Sequence, residues 1–169
     1  MDIVEFAMQM ELDGKAFYER AAEATAQPEL KKILIYLAEE EERHYQVFRQ
    51  LHDGRADRAE EELDGNSGSL SAPRNLFLEL AGQGPDQSFG DDARAVWTEA
   101  LKIEEAAVRM YSDEAAKEKD PARKKLLNRI ADEERDHVYL IDNMLSFIAD
   151  PQTFVNSRQF ADFRSWEGH

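Results

Sequence analysis

Two stretches of this chain, LAEEEERHYQVF at 37–48 and IADEERDHVYLI at 130–141, each place a histidine three positions after a glutamate, and they stand 93 residues apart. The same offset, with no gap, maps Glu104 onto Glu11, Tyr111 onto Tyr18, Pro121 onto Pro28, Leu127 onto Leu34, Ala131 onto Ala38, Glu134 onto Glu41 and His137 onto His44. A repeat of chemically distinctive residues at one fixed spacing is a duplicated structural unit. A chain of this kind must fold as two copies of one hairpin packed together.

The residues of the repeat have helical period and helix-forming composition, with few alternating β-branched positions. This predicts helices at about 2–25, 29–53, 91–118 and 122–149. Pro28 and Pro121 fall in the first turn of the second and fourth, where a missing N–H costs little. Residues 54–90 between the hairpins are rich in glycine and read as a long crossover, with a short helix near Arg74–Leu80. The expected fold is all-α: a four-helix bundle of two duplicated antiparallel hairpins spanning 1–149. The remaining tail, 150–169, carries Phe154, Phe160, Phe163 and Trp166, which are expected to cover one end of the bundle or a partner subunit.

Steps of three and four residues mark the seam that each helix turns to the core. In the second helix the seam runs Leu30, Leu34, Leu37, then Phe48 and Leu51, and it is continuous only if Glu41 and His44 fill the gap. In the fourth it runs Leu127, Ile130, Glu134, His137, Ile141. Glu11 and Tyr18 lie on the seam of the first helix, and Glu104 and Tyr111 on that of the third. The other acids of the opening stretches, Glu39, Glu40, Glu42, Asp132 and Glu133, fall off the seam and read as a solvated face.

An unpaired carboxylate in a core costs several kcal/mol or takes up a proton, so four of them require a cation. The register brings them together. Counting from the turns near residues 26 and 120, Glu11, Glu41 and His44, and likewise Glu104, Glu134 and His137, stand at one height, about 23 Å along the bundle at ~1.5 Å per residue. One E-x-x-H in an acidic helix is usually accident. Two, on core seams, in register with two further glutamates, form the set of four carboxylates and two imidazoles that binds a pair of iron or manganese ions in helical bundles. Four carboxylates also neutralise two divalent ions, and oxygen and imidazole ligands suit iron, manganese or zinc.

Tyr18 and Tyr111 lie two turns beyond Glu11 and Glu104 on the same faces. They read either as core tyrosines or as hydrogen-bond donors to a metal carboxylate of the opposite hairpin. Gly14 and Ala107, one turn past those glutamates, either leave space for a small oxidant or permit close helix packing. His52 reads as a helix C-terminal or surface residue and His169 as a terminal one.

Composition narrows the partners. With 36 acidic against 21 basic residues and a net charge of −15, nucleic acid and anionic membrane are poor partners. The absence of cysteine excludes thiolate metal sites, disulfides and thiol catalysis within the chain. MDIVEFAMQME has no basic region followed by an apolar run, and no apolar stretch approaches the ~18–20 residues of a membrane span. A cytoplasmic location is expected.

On Glu11-x6-Tyr18, Ala38-x-x-Glu41-x-x-His44, Glu104-x6-Tyr111 and Ala131-x-x-Glu134-x-x-His137, the chain resembles the rubrerythrin-type proteins of the ferritin-like superfamily over roughly residues 2–149. The resemblance implies a di-iron centre in which Glu41 and Glu134 bridge the metals, Glu11 and Glu104 are terminal carboxylates, and His44 and His137 are terminal imidazoles. Two departures stand out. The family usually carries a four-cysteine rubredoxin domain, absent here, so the electron donor is expected to be a separate protein. The family's extra glutamate one turn after the third-helix ligand is replaced by Ala107, leaving a set closer to the bacterioferritin ferroxidase centre. The expected activity is an oxidoreductase acting on hydrogen peroxide or dioxygen, or a ferroxidase, in a homodimer. The alternatives are a non-catalytic iron or manganese buffer and, less favoured, a structural bundle stapled by zinc.

Overall fold

A computed structural model describes residues 2–65, 70–84 and 86–168, so His169 and parts of the crossover lie outside the described residues. Among these residues the chain is helical, without strands. The four long helices are α1 (Ile3–Ala24), α2 (Pro28–His52), α5 (Asp91–Lys117) and α6 (Pro121–Ala149), each within one residue of its expected ends. The crossover carries α3 (Ala56–Gly65) and α4 (Ser71–Ala81), and the tail carries α7 (Pro151–Val155) and α8 (Arg158–Ser165).

Local chemistry sets the helix starts. Asp2 accepts from the Val4 N–H while Glu5 accepts from the Asp2 N–H, a capping box that satisfies two otherwise orphaned donors of α1. Gln27 and Asp120 each accept from the N–H two residues on, ahead of Pro28 and Pro121, so the two hairpin turns are built alike.

α1 packs along α2 and α5 along α6, with α1 also touching α5 and α2 touching α6. The apolar core between them is in two pieces. One holds Tyr18, Leu30, Ile33, Leu34, Trp97 and Ala100 with the second half of α6; the other holds Val4, Ala7, Phe48, Tyr111, Leu127 and Ile130. The start of α1 thus meets the end of α5, and the end of α2 meets the start of α6, so facing helices of the two hairpins are antiparallel. Burying side chains of this size stabilises by roughly 1.5–3 kcal/mol each. The layer between the two pieces is where Glu11, Glu41, His44, Glu104, Glu134 and His137 sit, all buried.

Two features differ from expectation. The crossover has a helix, α3, where the sequence reads as irregular. Its acidic composition hides a short apolar stripe, Ala59 and Leu63, which is buried against the rest of the bundle. In consequence Glu40, expected on a solvated face, is 5% exposed, and Glu133 is half-buried, while Glu39 stays in solvent. The tail lies on the bundle: Phe163 and Phe154 pack on Phe77 of α4 at 4.9 Å and 5.7 Å between ring centroids, and Phe77 packs on Phe147 of α6 at 5.4 Å. His52 is exposed in the last turn of α2, near Glu5.

Candidate metal centre

The six side chains come from four helices: Glu11 from α1, Glu41 and His44 from α2, Glu104 from α5, Glu134 and His137 from α6. None is more than 3% exposed. They form two overlapping groups, Glu11–Glu41–His44–Glu134 and Glu41–Glu104–Glu134–His137, in each of which one nitrogen or oxygen per residue lies within 4.8 Å of the others. Glu41 and Glu134 belong to both, one from each hairpin.

Glu134 is the centre of the arrangement. Its Oε1 is 3.0 Å from His44 Nδ1 and its Oε2 is 3.1 Å from His137 Nδ1. The imidazoles face each other nearly parallel, 5.9 Å between centroids. Glu11 Oε2 stands 3.7 Å from His44 Nδ1, and Glu104 Oε1 stands 3.5 Å from His137 Nδ1, so each ring presents Nδ1 to the layer. Each tyrosine reaches across to the other hairpin: Tyr18 donates to Glu104 Oε1 at 2.5 Å and Tyr111 donates to Glu11 Oε1.

Protonation follows from this crowding. Burial, then repulsion from Glu11, Glu104 and Glu134, pushes the Glu41 carboxyl well above its ordinary range. Burial and Glu134 push Glu104 up to about 8. Burial would raise Glu134 as well, but His44, with the hydrogen bonds from both rings, outweighs it and holds Glu134 at about 2. Both imidazoles are raised well above their usual value, because the facing carboxylates outweigh burial. Metal-free, Glu41, Glu104 and both imidazoles therefore favour their protonated forms.

Three buried carboxylate oxygens of the layer, Glu11 Oε2, Glu41 Oε1 and Glu104 Oε2, have no hydrogen-bond partner. Buried carboxylate oxygens without a partner, converging from three helices, are compatible with a bound cation. The donor set, oxygen and imidazole without sulfur, fits iron, manganese or zinc. Gly14 has a specific geometric reason here: a Cβ at that position would collide with Glu41 Oε2 and lie 3.2 Å from Glu41 Cδ. The glycine makes room for a carboxylate of the centre. Ala107 is buried in the core beside Tyr111.

Beyond the six, the structure brings in Glu40 and Glu133, expected on a solvated face, and Arg43 between them. His44 Nε2 is 2.8 Å from Glu133 Oε2, and Arg43 donates to both Glu133 and Glu40, the latter at 2.7 Å. These groups lie off the apolar seam, and no periodicity argument could reveal them. The signal available was an arginine beside the first histidine, answered by Asp136 at the repeat-related position. A third acidic group, Glu40–His44–Glu133, already encloses the Arg43 guanidinium, which stands where a further cation would go.

The family model described as Rubrerythrin matches residues 2–145 of the chain. Neither the curated proteins nor the solved structures contain a match.

Proposed function

The chain belongs to the rubrerythrin family, and on that premise we propose that it is a di-iron carboxylate oxidoreductase, reducing hydrogen peroxide or dioxygen or oxidising ferrous iron. The observation that carries the reading is the sharing of Glu41 and Glu134 between two ligand groups, which suits two ions held side by side. Glu11 and His44 would complete one position, and Glu104 and His137 the other. Two iron ions, when bound, supply the electrons and the Lewis acidity for the reduction.

The chain's own residues do the rest. Glu41 and Glu134 set the separation of the two positions, each anchored in a different hairpin. Tyr18 and Tyr111 hold Glu104 and Glu11 by one oxygen each, leaving the other oxygen without a hydrogen-bond partner. The surrounding apolar core excludes water, which strengthens every charge interaction in the layer. Reducing equivalents are assigned to a separate donor protein, since the chain has no cysteine with which to hold a rubredoxin-type iron.

The test is stopped-flow mixing of the diferrous protein with hydrogen peroxide and, separately, with dioxygen. The reading expects an absorbance change and multiple turnovers when a reductant is supplied. If neither oxidant reacts, the oxidoreductase reading fails. Near-complete burial of all six side chains favours a second reading, a reversible iron or manganese buffer, because it restricts access to oxidants. That reading predicts stoichiometric, reversible loading without peroxide consumption.

We further read residues 1–149 as a single di-metal domain with 150–169 as its tail, and expect a homodimer in the cytoplasm. α1 and α2 carry Phe6, Leu12 and Ile35, the large exposed hydrophobics among the described residues, and a partner copy would cover them. Solution mass near that of a dimer, not of a large shell, is the expected result. No described helix is long and apolar enough to cross a membrane.

A further inference from the structure

The 93-residue repeat pairs His44 with His137, Glu40 with Glu133, and Arg43 with Asp136. The first two pairs preserve chemistry and the third reverses charge. If the halves were equivalent, Glu40 would serve His137 as Glu133 serves His44. It does not. Both glutamates are drawn to the one guanidinium: Arg43 Nη2 donates to Glu40 Oε2 at 2.7 Å and also to Glu133 Oε2. Arg43 itself is 7% exposed, and its Nη1 donates to the Leu63 carbonyl in the last turn of α3 at 3.4 Å. A cation there is favoured by the helix dipole as well.

The consequence falls on the imidazoles. Glu133 Oε2 accepts from Arg43 and lies 2.8 Å from His44 Nε2, so it accepts the Nε2–H and leaves Nδ1 as the metal-facing nitrogen. For His137 the only carboxylates within 4.0 Å among the described residues are Glu104 and Glu134, both on Nδ1. Among the described residues, one histidine is gripped from behind by an anchored carboxylate and its repeat mate is not.

We propose that Glu133, locked by Arg43, is a positioning residue that fixes the His44 imidazole, and that it makes the position of Glu11, Glu41, His44 and Glu134 the tighter of two inequivalent metal positions. The proposal rests on the di-metal reading above. A carboxylate behind a ligating histidine fixes its tautomer and ring angle and raises its basicity, and its loss typically costs about 10- to 100-fold in metal affinity.

The experiment is calorimetric titration of metal-free protein with cobalt(II) alone. Wild type is expected to fill in two distinguishable steps. Glu133→Leu should weaken the first step by about 10- to 100-fold and leave the second nearly unchanged, so that the steps merge. Glu133→Gln, which keeps a neutral acceptor, should fall between the two. Arg43→Met, which frees Glu133 without removing it, should give a smaller loss confined to the same step. In the di-cobalt protein, the paramagnetically shifted N–H resonance of His44 should exchange slowly with solvent in wild type and rapidly in Glu133→Leu. A purely structural role would not alter one ring's proton selectively. Should Glu133→Leu fail to fold, by circular dichroism, the Gln and Met variants carry the same test. Two cobalt ions binding in one indistinguishable step, or variants weakening both steps alike, would overturn this proposal and leave the di-metal reading standing. Failure of wild type to bind cobalt would remove both.

Discussion

Tyr18 of the first hairpin donates to Glu104 of the second at 2.5 Å, and Tyr111 of the second returns the bond to Glu11 of the first. The two bonds are related by the repeat, and they tie the hairpins together on both sides of the charged layer. Both tyrosines are fully buried, and burial followed by the adjacent carboxylate pushes their pKa values well above the ordinary tyrosine range, so they remain donors. Tyr18→Phe should therefore remove the donor from Glu104 Oε1, in a carboxyl whose Oε2 already lacks a partner, and destabilise metal-free protein by about 1–3 kcal/mol. It should weaken metal binding at the Glu104–His137 position by about 10-fold or more. Urea unfolding and metal titration of the single variants check this; full stability with unchanged affinity would deny the tyrosines any role at the centre.

Gly14→Ala probes the space around Glu41. The added methyl would overlap Glu41 Oε2, and the collision is with a carboxylate in a tightly packed core, not with the free end of a surface chain. In an ordinary helix interior the change would stabilise by about 0.5–1 kcal/mol. Here it is expected to displace the carboxylate shared by both ligand groups, lowering metal stoichiometry or affinity while the metal-free protein stays helical. Metal analysis after dialysis, together with circular dichroism, reads the two effects apart. A Gly14→Ala variant that retains two ions would mean that Glu41 has room elsewhere.

Most of the fold was legible because the repeat and the seam are one-dimensional signals. The interruptions of the apolar series at Glu41, His44, Glu134 and His137 marked residues that are indeed buried in one layer. What stayed hidden was any residue buried from the outside. Glu40, Arg43 and Glu133 lie off the seam, and they are covered because the crossover folds over that face, with Leu63 of α3 meeting Arg43. Half of α3 is acidic and its apolar stripe is only Ala59 and Leu63, too short a signal on its own to show in the sequence either the helix or what it covers. Gly14 was ambiguous between oxidant space and close helix packing for a related reason: its neighbour, the Glu41 carboxylate, is a side chain from another helix, and that contact is three-dimensional.

The tail offers a contrast between stability and chemistry. Phe163 is fully buried, with its ring against Phe77 at 4.9 Å, in the core piece that lies on one side of the metal layer. Phe163→Ala should cost about 3–5 kcal/mol, the range for an aromatic cavity in a packed core. Metal affinity measured below the unfolding transition should be unchanged, since the rings it meets, those of Phe77, Tyr139 and Trp166, are none of the six layer residues. Thermal unfolding and metal titration together test the separation; a parallel loss of affinity would show that the tail shapes the centre.

The last prediction concerns pH, and its sign differs between the loaded and metal-free protein. Without metal, Glu104 titrates at about 8 against an unfolded value near 4.5, so folding takes up a proton between those limits. Stability from that proton is complete below about 4.5 and declines as pH rises through about 8. The imidazoles act in the same direction: both are raised, so their contribution is full below 6.5 and is lost on the alkaline side. Glu133 and Glu134, depressed to about 2, contribute above 4.5 and lose it only as pH falls toward 2. The metal-free protein should thus be most stable near pH 4.5, where the depressed carboxylates are ionised and the raised groups still hold their protons, with a melting temperature that falls as pH rises from there through about 8. Glu104→Gln should flatten part of that fall. Metal loading should oppose it, because ions replace the protons and bind more tightly as the protons leave, so affinity rises with pH and binding releases protons. Scanning calorimetry across the range, and titration calorimetry in buffers of different ionisation enthalpy, measure both. A metal-free melting temperature that climbs from about pH 6 to about pH 8, or loading without proton release, would mean that the buried carboxylates and imidazoles do not hold the protons assigned to them.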